Sequence, residues 1–148
     1  EIRMVTGVQT CALPISAQPL YSFGYGLSYT SYKYSNLKLS KSSCSPEETI
    51  TVSVDVTNIG KYDGTEIVQL YVNDVISSIM TPVKELKGFK KVQINAGDTK
   101  NVSITLSVSD FSIVDADEQY VVELGEFEIM VGQDSRNANL LKEILTVG

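Results

Sequence analysis

The chain has 148 residues, 43% of them hydrophobic and 20% charged, a balance that fits one globular domain and excludes a disordered tail. A net charge of −6 excludes the basic face that neutralising a nucleic-acid backbone requires. Histidine is absent, and with it the usual general base and the commonest zinc ligand, while no stretch approaches the roughly 20 apolar residues of a membrane helix.

The first sixteen residues, EIRMVTGVQTCALPIS, lack the unbroken apolar run of a signal peptide. Residues 5–15 resemble the translation of a sequencing-library adapter. Residues 1–16 are therefore expected to be non-native and disordered, with the true upstream sequence missing. That assignment removes Cys11 from consideration and leaves Cys44 alone in a polar turn, an inert thiol with only Lys41 near it.

PLYSFGYGLSYTSYKY, from Pro19, crowds Tyr21, Phe23, Tyr25, Tyr29, Tyr32 and Tyr34 around Gly24 and Gly26. Glycine bends a chain at positive φ, and aromatic rings glue bodies together through large buried area. Residues 17–31 are accordingly expected to be a connector to a missing body, and residues 32–148 a domain. After Thr30 the pattern alternates through Tyr32, Tyr34, Leu37 and Leu39 into a strand.

TITVSVDVTN sets Ile50, Val52, Val54 and Val56 on one face and polar residues on the other, the mark of a strand with one wet side. Asp63-Gly64 is a hairpin signal, and TEIVQLYVNDV is expected to return with Val68, Leu70 and Val72 inward. Its other face, Ile67, Gln69 and Tyr71, is either covered by another body or exposed. After Pro82, VKELKGFKKVQI has Leu86 and Phe89 as anchors about Gly88, and its lysines suit a protected sheet edge. NAGDTK is turn chemistry. Val102, Ile104 and Leu106 are expected inward in the next strand, where Asn101-Val102-Ser103 matches a glycosylation sequon that chance also produces. A short helical turn, a strand near Tyr120, then EFEIMVG and LLKEILTV complete the chain. The fold class expected is all-β: an antiparallel two-sheet sandwich of seven to eight strands, immunoglobulin-like but without the Cys…Trp…Cys pattern.

Chemistry is sparse. Asp115, Asp117 and Glu118 are clustered oxygen ligands without the glycine and distal Glu of a calcium loop, so they are expected to form a plain acidic loop with no metal or other cofactor. Glu123, Glu126 and Glu128 belong to the wet face, and Ser22 and Ser28 have no histidine to activate them.

FGYGLSYT, PVKELKGFKKV and GEFEIMVG, in that order, resemble the C-terminal fibronectin type III-like domain of glycoside hydrolase family 3 enzymes, the β-glucosidases and β-xylosidases. The resemblance covers residue 19 to the end. It implies that the catalytic carboxylates lie on two preceding domains, so none is carried onto this chain. It implies instead that Leu20, Tyr21, Phe23, Gly24, Tyr25, Gly26, Leu27 and Tyr29 pack at the junction with those domains. Pro82, Lys84, Glu85, Leu86, Gly88 and Phe89 match a second family motif, with Thr81 standing where many members have Arg. The implied function is a non-catalytic accessory domain whose partners are the catalytic domains of the same chain, in a periplasmic or secreted parent. The alternative is an independent carbohydrate-binding or adhesion module, with the tyrosines in contact with glycan.

Overall fold

The computed structural model describes residues 19–78, 82–114 and 118–148. The adapter-like segment with Cys11, and also Thr81, Asp115 and Asp117, lie outside the described residues.

The described chain is all-β. Its strands are β1 (Tyr32–Leu39), β2 (Ser43–Cys44), β3 (Thr49–Asn58), β4 (Gly64–Asp74), β5 (Glu85–Ile94), β6 (Thr99–Ser107), β7 (Ile113–Val114), β8 (Tyr120–Val121), β9 (Gly125–Gly132) and β10 (Leu140–Val147). They form a three-stranded sheet in the order β1-β3-β6, a five-stranded sheet β2-β10-β9-β4-β5, and the β7-β8 pair. Ten strands replace the seven to eight expected, because β2, β7 and β8 are two residues long and leave no alternation to detect. The purely antiparallel expectation is also corrected: β2 runs parallel to β10, with Ser43 beside Thr146 and Cys44 beside Val147.

Alternation placed the core. Ile50, Val52, Val54 and Val56 of β3 are buried together with Val68, Leu70 and Val72 of β4, Val102 and Leu106 of β6, and Phe127, Ile129 and Val131 of β9. Residues from both large sheets thus share one cluster, with Tyr32, Tyr34, Leu37 and Leu39 of β1 packed on it. That set changes parity between Tyr34 and Leu37, which a regular strand forbids. A bulge between Ser35 and Lys38 resolves it, with Asn36 at φ 54°, a left-handed conformation that asparagine tolerates.

Asp63-Gly64 does not close a hairpin. β3 and β4 belong to different sheets, and residues 59–63 carry the chain across. Asn58 holds this crossing. It is fully buried; its Nδ2 donates to the Tyr62 and Ile94 carbonyls at 2.8 and 3.0 Å, and its Oδ1 accepts from Thr30 Oγ1 at 2.6 Å and Gly60 N at 3.1 Å. Its own backbone N–H donates to Asp98 O, and its carbonyl accepts from Gly97 N, both at 3.0 Å.

Cys44 lies in β2 within the core, not in a polar turn. Burial, followed by the charge of Glu48, pushes its thiol above the ordinary range, so little of it is thiolate. Leu86 and Phe89 are not core anchors either: Phe89 is 67% exposed and Leu86 39%. Gly88 faces inward instead, where an added Cβ would lie 3.1 Å from Ile104 Cγ2. β5 is an edge strand, as its lysines suggested.

Candidate functional site: the connector and its seat

Residues 19–31 lie against the five-stranded sheet and the turn that joins β9 to β10. Gly24 turns the connector at φ 77°, and an added Cβ would drive into the Gln69 side chain. Gly26 has neither a positive φ nor a neighbour, so only one of the two glycines is required by the bend.

Gln69 and Tyr71, on the side of β4 away from the core, are covered by this chain itself. Gln69 Nε2 donates to Gly24 O at 3.0 Å and Gln133 O at 2.7 Å, while its Oε1 accepts from Tyr71 OH at 2.5 Å. Phe23 sits edge-on to Tyr71, centroids 6.4 Å apart. Tyr71 also packs with Met130 and Leu140 in a second small cluster. Burial, with the Asp134 charge adding, pushes the Tyr71 phenol up to about 12, so it is a fixed donor.

The turn after β9 supplies the other clamp. Ser135 N donates to Phe23 O at 3.0 Å. Asp134, buried, accepts from Arg136 N at 2.8 Å, Arg136 Nε at 3.0 Å, Arg136 Nη2 at 2.7 Å and Asn139 Nδ2 at 3.0 Å. Burial alone would raise its carboxyl; the Arg136 and Asn139 bonds outweigh burial and hold it below the usual range. The guanidinium so fixed lies 5.1 Å from the centre of the Tyr25 ring, itself 5.5 Å from Tyr21. Lys84 reaches the same turn, its Nζ donating to Ser135 O at 2.6 Å and Asn137 Oδ1 at 2.7 Å.

The connector's backbone is thus pinned at Phe23 and Gly24, while most of its side chains are free of the domain. Leu20, Leu27 and Tyr29 are 90, 92 and 98% exposed, and Tyr21 and Phe23 also face outward for most of their area. Between connector, Lys84, Leu86 and the 135–138 turn runs a groove of about 850 Å³. A smaller, more polar hollow of about 400 Å³ lies on the other side of Tyr25, edged by Glu66 and Arg136.

Tyr34, Gly88 and the β4 pair Gln69 and Tyr71 were within reach of sequence patterns. Asn58, Asp134 and Arg136 were missed as a frame for the connector, because their partners are distant in sequence; the polar residue Gln69 on a half-apolar strand face was the available hint. Glu123 is tied to Ser77 Oγ at 3.1 Å, Glu128 pairs with Lys142 at 2.9 Å, and Glu126 is exposed. Among the described residues no group of three or more His, Cys, Asp or Glu is placed to hold a metal, and no helix is long and apolar enough to cross a membrane.

The fibronectin type III-like domain family matches residues 66–135. Thermostable beta-glucosidase B of Acetivibrio thermocellus is 47% identical over 88% of this chain, which spans 17% of that relative. A beta-xylosidase of Formosa agariphila is 46% identical over 87% of the chain and 18% of its own length. The solved β-glucosidase of Erythrobacter marinus superposes with a TM-score of 0.83 at 41% identity, over 89% of this chain and 17% of that one. The β-glucosidase of Listeria innocua in complex with glucose gives 0.79 at 35% identity, over 88% and 18%. Residues 66–135 thus match the fibronectin type III-like domain, and the chain resembles the C-terminal domain of that kind in the glycoside hydrolase family 3 β-glucosidases and β-xylosidases.

Proposed function

We propose that this chain is a non-catalytic accessory domain of a β-glucosidase- or β-xylosidase-like enzyme, packing on preceding catalytic domains through its connector and stabilising their arrangement. In this proposal residues 17–31 are the seam, residues 32–148 are the domain, and the two large sheets close over the shared core as a sandwich. The observation that carries it is the division of labour in the seam. Gln69, Ser135 and Arg136 fix the connector, while Leu20, Leu27 and Tyr29 are aimed at nothing within the domain. An isolated domain gains nothing from presenting large apolar side chains outward on either side of a pinned bend, whereas a domain with a neighbour does. The parent reaction would be retaining hydrolysis of a terminal β-glycoside by two carboxylates of the preceding domains. Its site would lie outside this chain, in a periplasmic or secreted enzyme.

The test is a comparison of Leu27→Ser plus Tyr29→Ser in the 148-residue chain and in the full-length protein that contains it. The double variant should leave the melting temperature of the short chain unchanged and lower that of the full-length protein by about 4 °C or more. Turnover below the transition should stay intact. Lost turnover at an unchanged melting temperature would sink the packing role.

A second reading, a glycan-binding module, has the ring pair Tyr21–Tyr25 beside Arg136 in its favour. Retention of the short chain on an insoluble polysaccharide column, abolished by Tyr21→Ala, would bring it forward.

A further inference from the structure

The motif residues Leu86 and Phe89 lie outside the core, and the register of the sheet says where they face. Phe89 is opposite Gln69, Leu86 opposite Tyr71 and Lys91 opposite Ile67 in the β4–β5 ladder. Cross-strand partners share a face. All three therefore lie on the side of the sheet that seats the connector, since Gln69 and Tyr71 are its seat. Ile67 is 48% exposed and Phe89 67%, so the apolar surface of the connector continues across two strands without turning a corner.

The carboxylates on this side are already engaged: Glu128, opposite Asn73, pairs with Lys142, and Asp134 pairs with Arg136. Lys84 is held by a carbonyl and an amide oxygen at 2.6 and 2.7 Å and forms no ion pair among the described residues, and neither does Lys91. Arg136 is half exposed beyond the carboxylate of Asp134. In a chain of net charge −6, the β4–β5 half of this side is thus left with two lysines that have no ion-pair partner among the described residues. A second copy of the chain, docked face to face, would set lysine against lysine, a juxtaposition that costs affinity. Relatives matched over only 17 or 18% of their length have a larger body available.

We propose that the outer face of β4 and β5, from Ile67 through Phe89 to Leu86, is the second half of the docking surface for the preceding body, and that this body meets Lys84 and Lys91 with carboxylates. The proposal rests on the accessory-domain reading and adds to it a second contact element and a charge pattern. It also gives the exposed motif residues of β5 a use that their place in the fold does not.

The experiment is lysine acetylation followed by mass spectrometry on the full-length protein and on the 148-residue chain, with melting curves for variants of each. Lys91 should be acetylated about tenfold more slowly in the full-length protein. Phe89→Ser and Lys91→Glu should each lower its melting temperature by about 2–4 °C while leaving the short chain unchanged. Ile76→Ser, 85% exposed on the loop after β4, serves as the control and should alter neither. Equal acetylation of Lys91 in both proteins, with Phe89→Ser silent in both, overturns the proposal. If Leu27→Ser plus Tyr29→Ser still destabilises the full-length protein in that case, the accessory reading survives alone; if it too is silent, both fall. A dimer of the short chain that Phe89→Ser dissolves would make the occupant a second copy and equally overturn the proposal.

Discussion

Two glycines separated by one tyrosine look interchangeable, and the structure predicts that they are not. Alanine at Gly24 must hold φ 77°, which costs about 1–2 kcal/mol for a residue with a Cβ. The same Cβ displaces the Gln69 amide from its bonds to Gly24 O, Gln133 O and Tyr71 OH. At about 1 kcal/mol net for each bond, the total reaches roughly 4–5 kcal/mol if the connector stays seated. Peeling the connector off the sheet caps the loss at the free energy of its seating, so the expected fall in a urea titration is about 3 kcal/mol, or roughly 6–12 °C in melting temperature. Gly26→Ala meets no atom and needs no unusual φ, so it should stay within about 0.5 kcal/mol of the parent. Tyrosine fluorescence follows the unfolding, the chain having no tryptophan. Amide exchange at Ser135, which donates to Phe23 O, reports the seating itself. Equal stability of the two variants, with Ser135 still protected in both, would refute the reasoning.

Glu66 is buried on the core side of β4 and accepts from Tyr34 OH at 2.6 Å; burial raises its carboxyl above the ordinary 4.5, and the tyrosine only partly opposes this. The folded state therefore holds the proton more tightly than the unfolded one, and this group's contribution to stability falls as pH rises from 4.5 through the raised value. Glu66→Gln, which keeps the acceptor, should gain about 1 kcal/mol over the parent at pH 7 and lose that advantage near pH 4, read from urea titrations across pH. Asp134 has the opposite sign: its depressed carboxyl contributes stability above the ordinary 3.8 that is lost as pH falls through the folded value. Asp134→Asn should cost about 2 kcal/mol at pH 7, less at low pH, and should loosen Arg136 from Tyr25 in exchange measurements. Cys44, buried and raised, should react with a disulfide reagent only on unfolding in a Cys11→Ser background; prompt native labelling would contradict its place in β2.

Strand faces were legible because burial on one side writes a period of two into the sequence, and β3, β4, β6 and β9 keep it. Leu86 and Phe89 were misplaced as a pair of anchors, which size suggested and alternation does not support. Counting from Ile94 puts Phe89 outward and Leu86 inward, and a register shift opposite Lys87 turns Leu86 outward as well. Asp63-Gly64 announced a reversal, which occurs, but a turn signal cannot say whether the next strand joins the same sheet or the facing one. The seam was visible as aromatic density, and its chemistry was not. Asp134, Arg136 and Gln69 become a clamp only because β4 and β9 are neighbours, a fact of pairing that no local pattern encodes.

Asn58 sets an order on assembly. Its side chain reaches Thr30, 28 residues earlier, and Ile94, 36 residues later, so its amide is satisfied only when three distant stretches have converged. Until then, burying it costs more than leaving it in water, and that end of the domain gains little from closing. Loop-closure entropy must be spent on both separations before the amide returns anything. The crossing between the sheets is therefore a clasp that fastens late: native contacts at residue 58 should be largely absent from the folding transition state, and substitutions there should act mainly by speeding unfolding.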